Sequence, residues 1–241
     1  MPHPNSLPLP VSPTLFGRPA LQGVGAVTLV IVVFFTVFPE TDQVAAAYFH
    51  TGGNGFLLRD GIAHRFVDEW IRPHIKALVI LMLALACVSL GSGGRVLGWP
   101  PRAIIFVVLS YAVGPGLLVN GLLKTFIGRA RPKHVIDFGG DKLFSAALAP
   151  ANQCASNCSF VSGDVAFVAG SLALALLLSG TRRRVAVLLS LTLTAVTGYY
   201  RMAVGAHFLS DVVLAGLFCI LIALALHRGL FCRVNNLRGT A

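Results

Sequence analysis

Long apolar runs recur along this chain. Several approach or exceed the roughly 18–20 residues that carry a helix across a bilayer. Hydrophobic residues make up 56% of the sequence and charged residues only 12%, too apolar a balance for an ordinary soluble domain. The expectation is an all-α membrane protein, a bundle of six transmembrane helices with no separate soluble domain. The spans fall at about 21–38, 77–92, 103–122, 159–179, 185–203 and 207–227. The second is short, and its start can slide back toward Trp70. Residues 1–20 are proline-rich and lack the basic-then-apolar order of a signal peptide; they read as a disordered tail. The bundle then occupies 21–230, and 231–241 reads as a basic tail. No internal repeat is evident.

Six spans put both termini on one side of the membrane. Arg18, Arg95, Arg102, Arg182, Arg183, Arg184, Arg228, Arg233 and Arg238 fall there, nine of the nineteen Lys and Arg. That count does not orient the chain, but the acids do. All nine Asp and Glu fall on or near the opposite side. The purely basic side, with short loops such as "GTRRRV", is the one that obeys the positive-inside rule. It is assigned to the cytoplasm, which puts the opposite, outer face of a bacterial inner membrane in the periplasm. The net charge of +10 is then topology plus one outer cluster at 124–133, and gives no argument for nucleic acid. On the outer side Cys154 and Cys158 stand four apart, a spacing that permits a disulfide in an oxidising compartment and equally permits free thiols. Cys87 and Cys219 lie in spans and read as small packing residues.

Three polar clusters end up on that outer face. In "KTFIGRARPKH", Lys124, Arg129, Arg131, Lys133 and His134 crowd the end of the third span. Snorkelling side chains are the plain reading. An anion site is the stronger one, because the rule does not call for five basic groups outside. In "SFVSGDVAF", Ser159, Ser162, Gly163 and Asp164 open the fourth span. This is either a simple N-cap or a phosphate cradle of free N–H groups. In "YYRMAVGAHFLSD", Arg201 ends one span, and His207 and Asp211, four apart, share a helix face at the start of the next. Ionisable groups inside spans are costly and usually functional. Cations to hold phosphate oxygens and a carboxylate-oriented imidazole able to attack phosphorus together suit phosphoryl transfer. No Walker loop or carboxylate cluster appears, so neither metal nor other cofactor is expected.

These residues resemble the motifs of the type 2 phosphatidic acid phosphatase superfamily, K-x6-RP, PSGH and SR-x5-H-x3-D. The first stands intact from Lys124 to Pro132. The third stands as Tyr200-Arg201, then His207 and Asp211 at the right spacing, with tyrosine in place of serine. The second reads Val161-Ser162-Gly163-Asp164 and lacks both proline and histidine. The resemblance implies phosphate binding by Lys124, Arg131, Arg201, Ser162 and Gly163. It makes His207 the nucleophile that becomes a phosphohistidine and Asp211 its orienting partner. Asp164 takes the place of the histidine that protonates the leaving oxygen. If it inherits that work it must be protonated, against a reference pKa near ~3.9. If it only caps the helix, His134 is the candidate acid.

The implied activity is that of a metal-independent lipid phosphatase. Its partners are the bilayer and a membrane lipid substrate. The bacterial lipid A phosphatases are similar in size and six-helix plan, so the phosphomonoester of lipid A is the favoured substrate, at the 1- or 4′-position. Undecaprenyl diphosphate, phosphatidylglycerophosphate and phosphatidic acid stand as alternatives. So do a lipid phosphotransferase and an idle relative that only binds headgroups. Oligomeric state is not legible.

Overall fold

The computed structural model describes residues 18–59, 61–91 and 99–232. The two expected tails lie outside the described residues except at their inner ends. The first helix already begins at Arg18, and the last continues to Phe231. Among the described residues the main helices are α1 (Arg18–Val37), α2 (Glu40–Phe49), α3 (His64–Val88), α4 (Pro101–Phe126), α5 (Gly163–Leu176), α6 (Gly180–Ala203) and α7 (Leu209–Phe231). Among the described residues every regular element is helical, as expected.

Among the described residues five helices are long and apolar enough to cross a membrane, α1, α3, α4, α6 and α7, against the six expected. The expected fourth span shrinks to α5, for two physical reasons. Its first residues are extended and serve the site. The Ser159 N–H donates to the Arg129 carbonyl at 2.9 Å, and the Ser162 N–H donates to the Asp211 carbonyl at 3.0 Å. The helix is also interrupted at Gly170 and Ser171. A Cβ on Gly170 would lie 2.8 Å from the Tyr111 ring. At 1.5 Å per residue, what remains falls short of a hydrocarbon core of ~30 Å.

The second expected span also moves. α3 begins at His64, well ahead of 77. His64, Asp68, Arg72 and Lys76 depress the hydropathy of its first half, yet they recur every fourth residue and so lie along one side of the helix. Pro73 has no N–H to give, and the turn before it, Val67–Ile71, is wound as a wide π-turn. Pro115 sits in a similar π stretch of α4, Ala112–Leu123.

α7 is the central helix, packed on α1, α4, α5 and α6. Its mid-section shares a core with Val119, Phe160, Val161 and Val165. A second core, around Phe106, Leu176, Leu224 and Phe231, fills one end of the bundle. At the other end, Phe49, Phe56, Phe138 and Phe208 close the structure. α2, residues 127–162 and the turn into α7 gather there. Cys154 and Cys158 form a disulfide in that cap, with Cα atoms 5.6 Å apart. α3 stands at the periphery and turns Leu78, Leu81, Met82, Leu85 and Val88 outward. In a bilayer those side chains face lipid.

Candidate active site

Beneath the loop cap lies a polar cavity of about 170 Å³. Lys124 and Asn120 enter it from the end of α4, Arg131 and Lys133 from the loop beyond, and Gly163 and Asp164 from the start of α5. Arg201 comes from the end of α6 and His207 from the turn before α7. The three sequence clusters therefore meet in one place. The turn that joins the last two depends on Gly205, at φ +66°. There a Cβ would lie 2.4 Å from the Phe56 ring, so no side chain is accommodated. Gly163 permits a second close approach: its Cβ would stand 3.0 Å from Asn120 Oδ1 and 3.3 Å from Lys124 Cε.

His207 is buried. Its Nδ1 lies 2.8 Å from the Ser159 carbonyl oxygen. A carbonyl only accepts, so Nδ1 carries the proton and Nε2 keeps its lone pair. Burial, the largest cause, pulls this imidazole below its usual pKa, with Arg201 and Lys124 adding to the effect against Asp211. Asp211 was expected to hold the imidazole directly. It lies 3.8 Å from Nδ1, beyond a hydrogen bond, and Ser159 makes the contact instead. The Asp211 carboxylate is taken up by Arg129 Nη1 at 2.7 Å, Ser159 Oγ at 2.5 Å and the Phe208 N–H at 2.8 Å. It is joined to His207 through Ser159, whose hydroxyl it accepts and whose carbonyl meets Nδ1.

Arg129 belongs to this support and not to the expected five-membered anion site. It is fully buried. Its Nη2 pairs with Asp42 at 2.7 Å, its Nη1 reaches Ser210 Oγ at 2.9 Å, and its Nε donates to the Ser145 carbonyl at 2.8 Å. Its guanidinium also stacks 4.3 Å from the centre of the Phe208 ring. Burial works against that charge, and Asp211 and Asp42 more than offset it. His134 is exposed and does not line the cavity.

The cations that do line it are held in place. Lys124 Nζ donates to Asn157 Oδ1 at 3.1 Å and the Cys158 carbonyl at 3.2 Å, and Arg131 Nη2 donates to the Asn157 carbonyl at 2.8 Å. Burial first, then Arg201 and Arg72, pull the Arg131 pKa down. Burial followed by Arg131 does the same to Lys133. Such like-charge crowding marks a site that favours an anion. Ser162, by contrast, is wholly buried and outside the lining. Its hydroxyl caps α5 by accepting the Val165 N–H at 3.5 Å.

Asp164 is not a free acid. Arg72 Nη1 pairs with it at 3.0 Å and Arg201 Nε at 3.2 Å, and Lys76 Nζ makes a short contact to its other oxygen. Arg72 and Lys76, with His64 and Asp68, form the polar stripe of α3, and all four line the cavity. The sequence reading did not find them. The fourfold spacing was the available signal, hidden by their place ahead of the recognised apolar run. Among the described residues no group of three or more His, Cys, Asp or Glu stands close enough to hold a metal ion.

A proton-fixed imidazole facing a cage of cations at one end of a membrane bundle is a phosphate-handling arrangement. The chain belongs to the PAP2 superfamily, whose family model matches residues 103–234, from α4 through α7. Among its relatives are three lipid A 4′-phosphatases. Identity with that of Francisella tularensis subsp. novicida (strain U112) is 32% over 195 residues, 77% of this chain and 84% of the relative. With that of Rhizobium leguminosarum it is 35% over 195 residues, covering 80% and 82%. With that of Rhizobium etli it is 40% over 154 residues, covering 64% and 60%. No solved structure matches the chain.

Proposed function

We propose that this protein is a lipid phosphatase that removes the 4′-phosphate of lipid A at the periplasmic face of the inner membrane, through a phosphohistidine on His207. The observation that carries the reading is the His207 imidazole. Its Nδ1 proton is committed to Ser159, and it shares a cavity with Lys124, Arg131 and Arg201. A lone pair on Nε2 beside three phosphate-binding cations is what attack at phosphorus requires. The names of the three relatives support lipid A as substrate. The Cys154–Cys158 disulfide lies in the cap over the cavity, which suits an oxidising compartment on that side.

Lys124, Arg131 and Arg201 take the non-bridging oxygens, and the Gly163 backbone approaches closely. Asp164 serves here as a counter-charge. Three cations favour its ionised form, and a carboxylate so held has no proton to give. It offsets part of the charge of Arg72, Lys76 and Arg201 while no phosphate is bound, with Asp68 pairing to Arg72 and Arg201 as well.

Phosphate release from purified protein tests the reading. The panel is bisphosphorylated lipid A, phosphatidic acid, phosphatidylglycerophosphate and undecaprenyl diphosphate, with mass spectrometry to locate the phosphate lost or moved to another lipid. Loss of the 4′-phosphate, abolished in His207→Ala, is the expected result. No release from any lipid overturns the phosphatase reading. A fully active His207→Ala overturns the phosphohistidine.

A further inference from the structure

Cleaving the P–O bond of an alkyl or sugar phosphate leaves an alkoxide, which needs a proton as it departs. With Asp164 clasped by three cations, the cavity must find that proton elsewhere. Imidazole is the side chain best matched to proton exchange near neutral pH. Among the described histidines, only His207 and His64 line the cavity. His134 is exposed at the surface. His74 binds the Trp70 carbonyl of its own helix at 2.6 Å. His50 packs between the Phe56 and Phe138 rings, and His227 lies among Phe106 and Phe231 in the core at the other end of the bundle.

We propose that His64 is the residue that gives the leaving oxygen its proton, held for that task by Tyr200 and Asp68. The proposal rests on the phosphatase reading above. His64 Nδ1 lies 2.6 Å from the Tyr200 hydroxyl. That hydroxyl in turn donates to Asp68 Oδ1 at 3.4 Å. The same Asp68 oxygen stands 3.9 Å from Nδ1, close enough for a carboxylate to balance an imidazolium. With Nδ1 engaged by Tyr200, Nε2 is the nitrogen left for the substrate. Tyr200 occupies the position just before Arg201, so the residue that fixes His64 and the residue that binds phosphate are neighbours at the end of α6.

The proton balance closes over two steps. In the first, His207 Nε2 bonds to phosphorus as the P–O bond to the alcohol breaks. The electron pair of that bond goes to the alcohol oxygen, and the Nε2 proton of His64 follows it. In the second, water bonds to phosphorus and the P–N bond breaks, its electron pair returning to His207. The proton lost by the water goes to His64, which is restored.

An acid matters only when the leaving group is poor, and the test turns on that. Two phosphates carrying the same acyl chain are compared, one a simple alkyl phosphate and one a nitrophenyl phosphate whose phenolate leaves unaided. The proteins are wild type, His64→Gln and Tyr200→Phe, each first checked in detergent for the wild-type elution profile. His64→Gln should lose roughly 10²–10⁴-fold in turnover of the alkyl phosphate, while the first-turnover burst of nitrophenolate, which reports P–O cleavage before water attacks, stays within a few-fold of wild type. Tyr200→Phe should show the same pattern at smaller size, and carries the test alone if His64→Gln does not fold. An equal loss in alkyl phosphate turnover and in the nitrophenolate burst in folded protein, or no loss in either, overturns the role of His64. A wild type that releases phosphate from neither overturns the phosphatase reading itself.

Discussion

Arg129 shows how one side chain can look like a site residue in sequence and be something else in space. It stands two residues from Arg131 in the same basic run, but the two face opposite ways: Arg131 into the cavity, Arg129 into a dry network with Asp42 and Asp211. Removing it strands two buried carboxylates, and breaking a buried pair in this way costs about 3–5 kcal/mol. Arg129→Ala should therefore cause loss of folded protein, seen as a lowered midpoint in detergent-based thermal unfolding. Arg131→Ala should leave that midpoint almost unchanged while weakening turnover. The motif spacing made Lys124, Arg131, Arg201, His207 and Asp211 legible, because those positions recur at fixed intervals within single segments. The Ser159 carbonyl that fixes the His207 tautomer was not legible. Its role is a backbone contact between segments 48 residues apart, and no side-chain pattern encodes it.

Among the elements, α3 departs furthest from the sequence reading. Hydropathy located its apolar half and missed the half that reaches the cavity, since a window average does not distinguish charges facing lipid from charges facing a pocket. α5 failed in the opposite sense. Its composition is apolar enough for a span, but the extended residues before it and the contact of Gly170 with Tyr111 shorten it. Of the α3 stripe, His64 and Asp68 meet Tyr200 and Arg201, while Arg72 and Lys76 meet the site through Asp164, so Lys76 and Asp164 should behave as one unit. Lys76→Ala leaves the Asp164 charge less balanced and turned on the incoming phosphate. KM should rise roughly tenfold, equivalent to about 1.4 kcal/mol, with kcat less affected. Adding Asp164→Asn to Lys76→Ala should recover much of that loss. A double-mutant cycle on KM should then show coupling within the ~0.5–3 kcal/mol range of contacting residues, whereas simple additivity would disconnect them.

Across the whole molecule, the cap, the cavity and the polar ends of α3, α4 and α6 gather at one end of the bundle, and "TRRR" at 181–184 begins α6 at its far end from Arg201. If the cavity faces the periplasm, a cysteine at Asp141, which is exposed, should react with an impermeant thiol reagent in intact cells. One at Arg182 should react only after the membrane is opened. Labelling of the native cysteines is subtracted in both cases. The reverse pattern would put the cavity in the cytoplasm and remove periplasmic lipids from consideration. This large-scale arrangement was the most legible part of the sequence, since burial in lipid leaves a strong compositional record. The count of full spans was less so, because a short helix covered by its neighbours carries the same composition as a long one.

Asn157, which holds both Lys124 and Arg131, lies inside the small ring closed by Cys154 and Cys158. The quality of a protein preparation therefore depends on the oxidation history of the host. Material made where thiols stay reduced, or purified with dithiothreitol, should keep its bundle and the setting of His207 yet grip phosphate loosely. It would show a raised KM that reoxidation restores, and Cys154→Ser should reproduce that state permanently.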